Sequence, residues 1–172
     1  MSHAGPRAVL IGAMGSGKST VAEALASRLA VSSRDTDQDV ENLAGCSVQD
    51  IFVNDGEAAF RTLEKQAVAE ALQTHDGVLS LGGGAVLDPE TRVLLHDHTV
   101  IFLQVSMPEA VRRIGMGQTR PLLNQAVGGV RSRFKALLDE RTPIYQELAT
   151  HVVDTDGLTP DQVADQIEGL LR

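Results

Sequence analysis

The chain has 172 residues, a formal net charge of −8 and 42% hydrophobic residues. That length suits one domain with a full core, and the hydrophobic share excludes a disordered chain. The acidic balance argues against general nucleic-acid binding, and the lone cysteine, Cys46, excludes an intrachain disulfide or a cysteine-rich zinc site.

The first apolar run, Ala8-Val9-Leu10-Ile11, predicts a strand over residues 7–12. It leads into Gly12-Ala13-Met14-Gly15-Ser16-Gly17-Lys18-Ser19, which fits the phosphate-loop pattern GxxxxGK[ST], with Thr20 beside it. A helix over 18–30 follows, so the motif stands in its required context of strand, glycine loop and helix. Such a loop turns backbone N–H groups toward phosphate oxygens, and the helix N-terminus adds partial positive charge. Lys18 reaches the β- and γ-phosphates, and the Ser19 hydroxyl is a ligand for Mg²⁺. The chain has three lysines in all, so one inside this loop is not ordinary surface decoration.

Val31 to Asp35 reads as a short extended segment ending in Asp35-Thr36-Asp37. Helices are expected over about 38–45 and 47–73, the second broken at Asp55-Gly56. A buried strand, 77–81, ends in Gly82-Gly83-Gly84. Asp88-Pro89 has the pattern of an N-cap followed by proline at the first helical position. His96-Asp97-His98 reads as a polar turn before the strand 99–105 rather than as a metal site. Ser106-Met107-Pro108-Glu109 predicts a capping box. Residues 115–124 read as a glycine-rich mobile lid. A helix over about 127–148 is expected to bend or break at Pro143. The last strand is 151–154, and Thr159-Pro160-Asp161-Gln162 caps the last helix.

Strands alternating with helices imply an α/β fold with a parallel sheet covered on both faces. Ligands then bind outside the carboxyl ends of the strands. The phosphate loop, Asp35-Thr36-Asp37, Gly82-Gly83-Gly84 and the turn after Val105 all follow strands, so they are expected to gather on one edge. Asp35 and Asp37 stand two apart at a strand end, where side chains share a side. One carboxylate suits holding Mg²⁺ and the other suits accepting the proton of an attacking hydroxyl. Either is also a natural helix cap. Arg61 and Glu64 lie one helical turn apart and on their own read as a surface ion pair. Three successive glycines after a buried strand favour close approach of backbone to a ligand. No apolar run nears the length of a membrane span, and the N-terminus lacks a signal-peptide core, so a cytoplasmic protein is expected.

The succession GAMGSGKST, DTD, FRTLE, GGGA, TRPLL and RTPIY resembles the shikimate kinase family over nearly the whole chain. The resemblance implies a phosphate-loop NTPase fold like that of nucleoside-monophosphate kinases, with five parallel strands, in a single kinase domain over 1–172. It implies ATP-dependent, Mg²⁺-assisted phosphorylation of the 3-hydroxyl of shikimate in aromatic amino-acid biosynthesis, by a monomer that engages neither nucleic acid nor membrane. The ATP site would comprise Gly15, Ser16, Gly17, Lys18, Ser19, Thr20, Arg113, Arg120 and Pro160, with Ser19 and Asp35 on the metal side. Asp37, Arg61, Gly82, Gly83, Gly84 and Arg141 would meet shikimate, with substrate-binding helices over about 38–73. Arg61 and Arg141 would clamp the substrate carboxylate, for which a planar guanidinium is suited. Lys18, Asp37 and Arg120 would be catalytic, Arg120 swinging onto the transferring phosphoryl group from the lid. Several relatives carry an arginine where this chain has Asp156 to Pro160, so adenine is expected to rest on backbone and Pro160.

Three other readings share the loop. A gluconate-type kinase is expected to lack the set of Arg61, triple glycine and Arg141. A nucleoside-monophosphate kinase needs a base-reading pocket that no motif supplies. A GTP-dependent switch carries Asn-Lys-x-Asp, which is absent here.

Overall fold

The computed structural model describes residues 5–114 and 130–172. Five strands, β1 (Ala8–Ile11), β2 (Ser33–Asp35), β3 (Val78–Ser80), β4 (Val100–Gln104) and β5 (His151–Asp154), form one parallel sheet in the order β2-β3-β1-β4-β5. The central strands read as continuous apolar runs because both faces are covered. Alternate residues serve opposite cores. Val9, Ile11, Leu79, Val100 and Phe102 face one cluster. Ala8, Leu10, Val78, Ile101 and Leu103 face the other. The second is closed by α1 (Lys18–Leu29) and the C-terminal helix α8 (Pro160–Leu170), through Val21, Leu25, Val163 and Ile167.

Three helices stand beside the sheet: α2 (Thr36–Ala44), α3 (Val48–Asn54) and α4 (Glu57–Thr74). They share a small core of Val40, Ile51, Phe60 and Ala67. The expected break falls at Asp55-Gly56, where Gly56 adopts φ 90° and caps α4. The start of α2 differs from expectation. The helix begins at Thr36, not residue 38, because the Asp35 side chain accepts from the Asp37 N–H at 2.9 Å and caps it.

After β3 come a 3-10 turn at Ala85–Leu87 and α5 (Pro89–Leu95), whose Asp88 cap accepts from the Thr91 N–H at 3.0 Å. The helix α6 (Met107–Ile114) follows β4 with half of its expected capping box. Ser106 Oγ accepts from the Glu109 N–H, but the Ser106 N–H donates to Asp156, and the Glu109 carboxylate turns to Arg112 and Arg113 instead. Of the expected bend or break at Pro143, the break does not occur: the helix α7 (Val130–Leu148) runs through it. Proline removes one backbone donor there, but Phe134, Leu137 and Tyr145 bury on either side and hold both halves to the core. A complete capping box at Thr159 and Gln162 starts α8. Among the described residues no helix is long and apolar enough to cross a membrane. The expected lid, 115–124, and its Arg120 lie outside the described residues.

Candidate active site

The site grows from the carboxyl end of β1. Residues 12–17 wrap the N-terminus of α1, and Gly15 and Gly17 both take positive φ, 83° and 86°. A β-carbon at Gly15 would also stand 3.0 Å from the Ala110 carbonyl. Gly17 caps α1 without a side chain, and the first turn carries no acidic residue, so the helix N-terminus keeps its partial positive charge for an anion. Lys18 folds back over the loop, its Nζ donating to the carbonyls of Gly12 at 2.8 Å and Ala13 at 3.0 Å. Ser16 differs from its neighbours. It is buried, its N–H donates to the Ala13 carbonyl, and its Oγ has no hydrogen-bond partner among the described residues.

Across the loop, Ser19 Oγ donates to Asp35 Oδ2 at 2.6 Å. Asp35 therefore does two jobs, capping α2 with one oxygen and meeting Ser19 with the other. Hydroxyl and carboxylate are hard oxygen donors of the kind a divalent cation takes when phosphates and waters complete its shell. Among the described residues no group of three His, Cys, Asp or Glu could hold a metal alone.

Asp37 does not share a strand face with Asp35, because it lies in the first turn of α2. Both nevertheless line one cleft of about 480 Å³. Thr36 between them is fully buried and ties β2 to the glycine loop. Its Oγ1 accepts from the Gly82 N–H at 3.3 Å.

The glycine loop explains its own composition. A β-carbon at Gly84 would stand 2.5 Å from Arg61 Nη2, and one at Gly82 2.7 Å from Asp37 Oδ1. A side chain at either position would displace the charged end of Asp37 or Arg61, and Gly83 between them faces Arg141 and Tyr145 at ordinary contact distance.

Arg61 donates to Glu64 Oε1 at 2.8 Å and more loosely to Glu57, with its guanidinium over the Phe60 ring at 5.2 Å. Glu64 is 3% exposed. Burial pushes its carboxyl above the ordinary range; Arg61 opposes that shift and Asp37 adds to it. The pair that reads as a surface ion pair in sequence is therefore a buried strut that orients Arg61. Arg141 approaches from α7, 6% exposed, with Nε lacking a partner among the described residues. A buried guanidinium with an unused donor, lining a cleft, is a ready carboxylate ligand.

Arg112 and Arg113, adjacent in sequence, separate clearly. Arg112 is exposed and pairs with Glu109. Their hydrogen bonds, Arg112's first, hold Glu109 down to about 2. Arg113 lines the cleft and donates to the Gly15 carbonyl at 3.0 Å and the Thr155 carbonyl at 3.0 Å, tying α6, the phosphate loop and the end of β5 together.

Gly15, Gly17, Lys18, Ser19, Thr20, Asp35, Asp37, Arg61, the three glycines, Arg113 and Arg141 all line the cleft. Ser16 and Pro160 are not among its lining residues. Sequence reasoning missed its apolar wall, Phe52 and Phe60, whose ring centroids lie 4.9 Å apart. The available signal was scarcity: the chain has only four phenylalanines, and two fall in the helices beside the site.

Residues 14–172 match the family model for shikimate kinase. A shikimate kinase of Thermobifida fusca is 53% identical over 162 residues, covering 94% of this chain and 92% of its own. One of Salinispora tropica is 54% identical over 166 residues, covering 96% and 98%. The solved structure of the Acinetobacter baumannii shikimate kinase in complex with shikimate is 30% identical, with a TM-score of 0.89 over 98% of this chain and 93% of that one. With a matching family model and relatives this similar over almost its whole length, the chain belongs to the shikimate kinase family.

Proposed function

We propose that this protein transfers the γ-phosphoryl group of ATP to the 3-hydroxyl of shikimate, giving shikimate 3-phosphate and ADP, a step of aromatic amino-acid biosynthesis. The observation that carries this reading is one cleft with two unlike ends. An anion-cradling loop stands at one end, and the carboxylate of Asp37 with the guanidiniums of Arg61 and Arg141 at the other. A substrate bearing both a carboxylate and ring hydroxyls matches the second end.

The phosphate-loop backbone and Lys18 hold the β- and γ-phosphates. Arg61, oriented by Glu64, and Arg141 grip the shikimate carboxylate and point the ring's hydroxyl edge toward Asp37. The Asp37 carboxylate accepts the proton of the 3-hydroxyl as that oxygen bonds to the γ-phosphorus. The bond from the γ-phosphorus to the bridging oxygen breaks, and the electron pair leaves with ADP. A kinase that uses ATP works with a divalent metal; Ser19 and Asp35 would hold it as Mg²⁺, and it would supply charge to neutralise the phosphates. Positive charge from Arg120 is assigned to the transferring group by family resemblance, as are Arg113 and Pro160 to adenine. The protein is read as a single kinase domain over 1–172, with substrate-binding helices over 38–73 and a lid over 115–124, a cytoplasmic monomer acting on small molecules.

A coupled ADP-release assay tests this. ADP release from ATP should depend on shikimate and on Mg²⁺, and gluconate or a nucleoside monophosphate should not replace shikimate. Release that ignores shikimate would defeat the reading.

A further inference from the structure

The motif Arg141-Thr142-Pro143-Ile144-Tyr145 contributes more than its arginine. Tyr145 is the only tyrosine in the chain and is 1% exposed. Its hydroxyl donates to the Gly83 carbonyl at 2.5 Å across 62 residues of sequence. The ring is held against Phe102 of β4, with centroids 5.1 Å apart. Tyr145 stands one turn beyond Arg141 on α7, and both meet Gly83: a β-carbon there would lie 3.5 Å from Arg141 Nη1 and 3.6 Å from the Tyr145 oxygen. A ring that served only to fill the core would be met as well by phenylalanine. The hydroxyl is placed instead at the one glycine of the three that no charged side chain of the protein packs tightly against.

We propose that Tyr145 is a positioning residue for the acceptor substrate: its hydroxyl fixes the Gly83 backbone relative to Arg141, and so sets the spacing between the carboxylate clamp and the loop against which the ring lies. This inference rests on the shikimate reading above. Burial pushes the phenol up to about 12, despite Arg141 nearby, so the hydroxyl stays a neutral donor throughout the working pH range. The start of the loop is tied by Thr36 at Gly82, so loss of the Tyr145 hydroxyl would free its middle and leave its start anchored.

The experiment is steady-state kinetics on wild type and Tyr145→Phe, which keeps the ring and removes only the donor. The KM for shikimate should rise about tenfold, corresponding to about 1.4 kcal/mol. The KM for ATP should stay within about twofold, a split that general destabilisation does not produce. An unchanged shikimate KM, or both KM values rising together, would overturn the proposal. Should Tyr145→Phe fail to fold, the wild-type chain grown with 3-fluorotyrosine carries a single ¹⁹F reporter that keeps the hydroxyl. Its resonance should move on adding shikimate and hold still on adding ADP; no response to shikimate would overturn the proposal. Absence of any shikimate-dependent turnover in the unlabelled wild type would instead remove the functional reading itself.

Discussion

The phosphate end of the cleft is built from backbone, and the acceptor end from side chains. Residues 12–19 are contiguous, and their backbone carbonyls are held by two long side chains, Lys18 at Gly12 and Ala13 and Arg113 at Gly15. The acceptor end draws Asp37 from α2, Arg61 and Glu64 from α4, the glycines from the end of β3, and Arg141 from α7. A site made of backbone tolerates side-chain changes unless a glycine or the lysine is touched. A site made of converging side chains fails one interaction at a time, and each failure has its own kinetic signature.

Five substitutions sharpen that contrast. Lys18→Ala should have the largest effect, lowering kcat by roughly a thousandfold or more, since a charge aimed at the phosphates is lost. Its melting temperature should stay near wild type, because Lys18 contributes to no apolar cluster. Near-normal turnover in steady-state assays would show that the loop is not the phosphate site. Asp37→Asn should lower kcat by on the order of 10²-fold, the range of general-base removal, with little change in the KM for ATP. Asp35→Asn, its companion, should raise the metal requirement instead. A metal titration showing the reverse pattern would exchange the two roles.

Arg141→Lys should raise the KM for shikimate about tenfold while leaving kcat at saturation close to normal, because lysine keeps charge but not the two-pronged geometry. A fall in kcat alone would place Arg141 at the phosphoryl group. Glu64→Gln is expected to be the mildest. Burial raises the Glu64 carboxyl in the folded state, so between the ordinary carboxylate pKa and that raised value the folded protein binds more protons than the unfolded chain. Stability therefore falls as pH rises through that window, which is the cost of burying the charge. Glutamine removes the cost. The melting temperature at pH 7 should be no lower than wild type, while the shikimate KM rises a few-fold because Arg61 is held less firmly. A large loss of thermal stability would mean that the ion pair stabilises the fold rather than orienting the ligand.

The same contrast explains what could be read from the sequence. The phosphate loop is local: strand, glycines, lysine and helix follow one another, so pattern alone locates it. The sheet was legible for a similar reason, since extended segments alternating with helical ones leave few arrangements, although β2, Ser33-Arg34-Asp35, is polar. The pairing of Arg61 with Glu64 was visible, but its burial was not, because burial depends on Asp37 and Arg141 arriving from distant elements. The three glycines pointed to close approach, yet the chain could not say that Asp37 and Arg61 occupy the space at Gly82 and Gly84. Asp35 as both cap and Ser19 partner, and Asp37 as a helical residue, depend on where α2 begins, and a helix start is set by a single hydrogen bond. The continuity of α7 through Pro143 was hidden because apolar burial on both sides overrides the local penalty.

The most direct measurement is isothermal titration of shikimate into wild type and Lys18→Ala, each without nucleotide. If the two ends of the cleft are built independently, both proteins should bind shikimate with the same affinity within about twofold, well under the tenfold that 1.4 kcal/mol would produce, although only wild type turns it over. Loss of shikimate binding in Lys18→Ala would contradict the account, because the phosphate loop would then be part of the acceptor site.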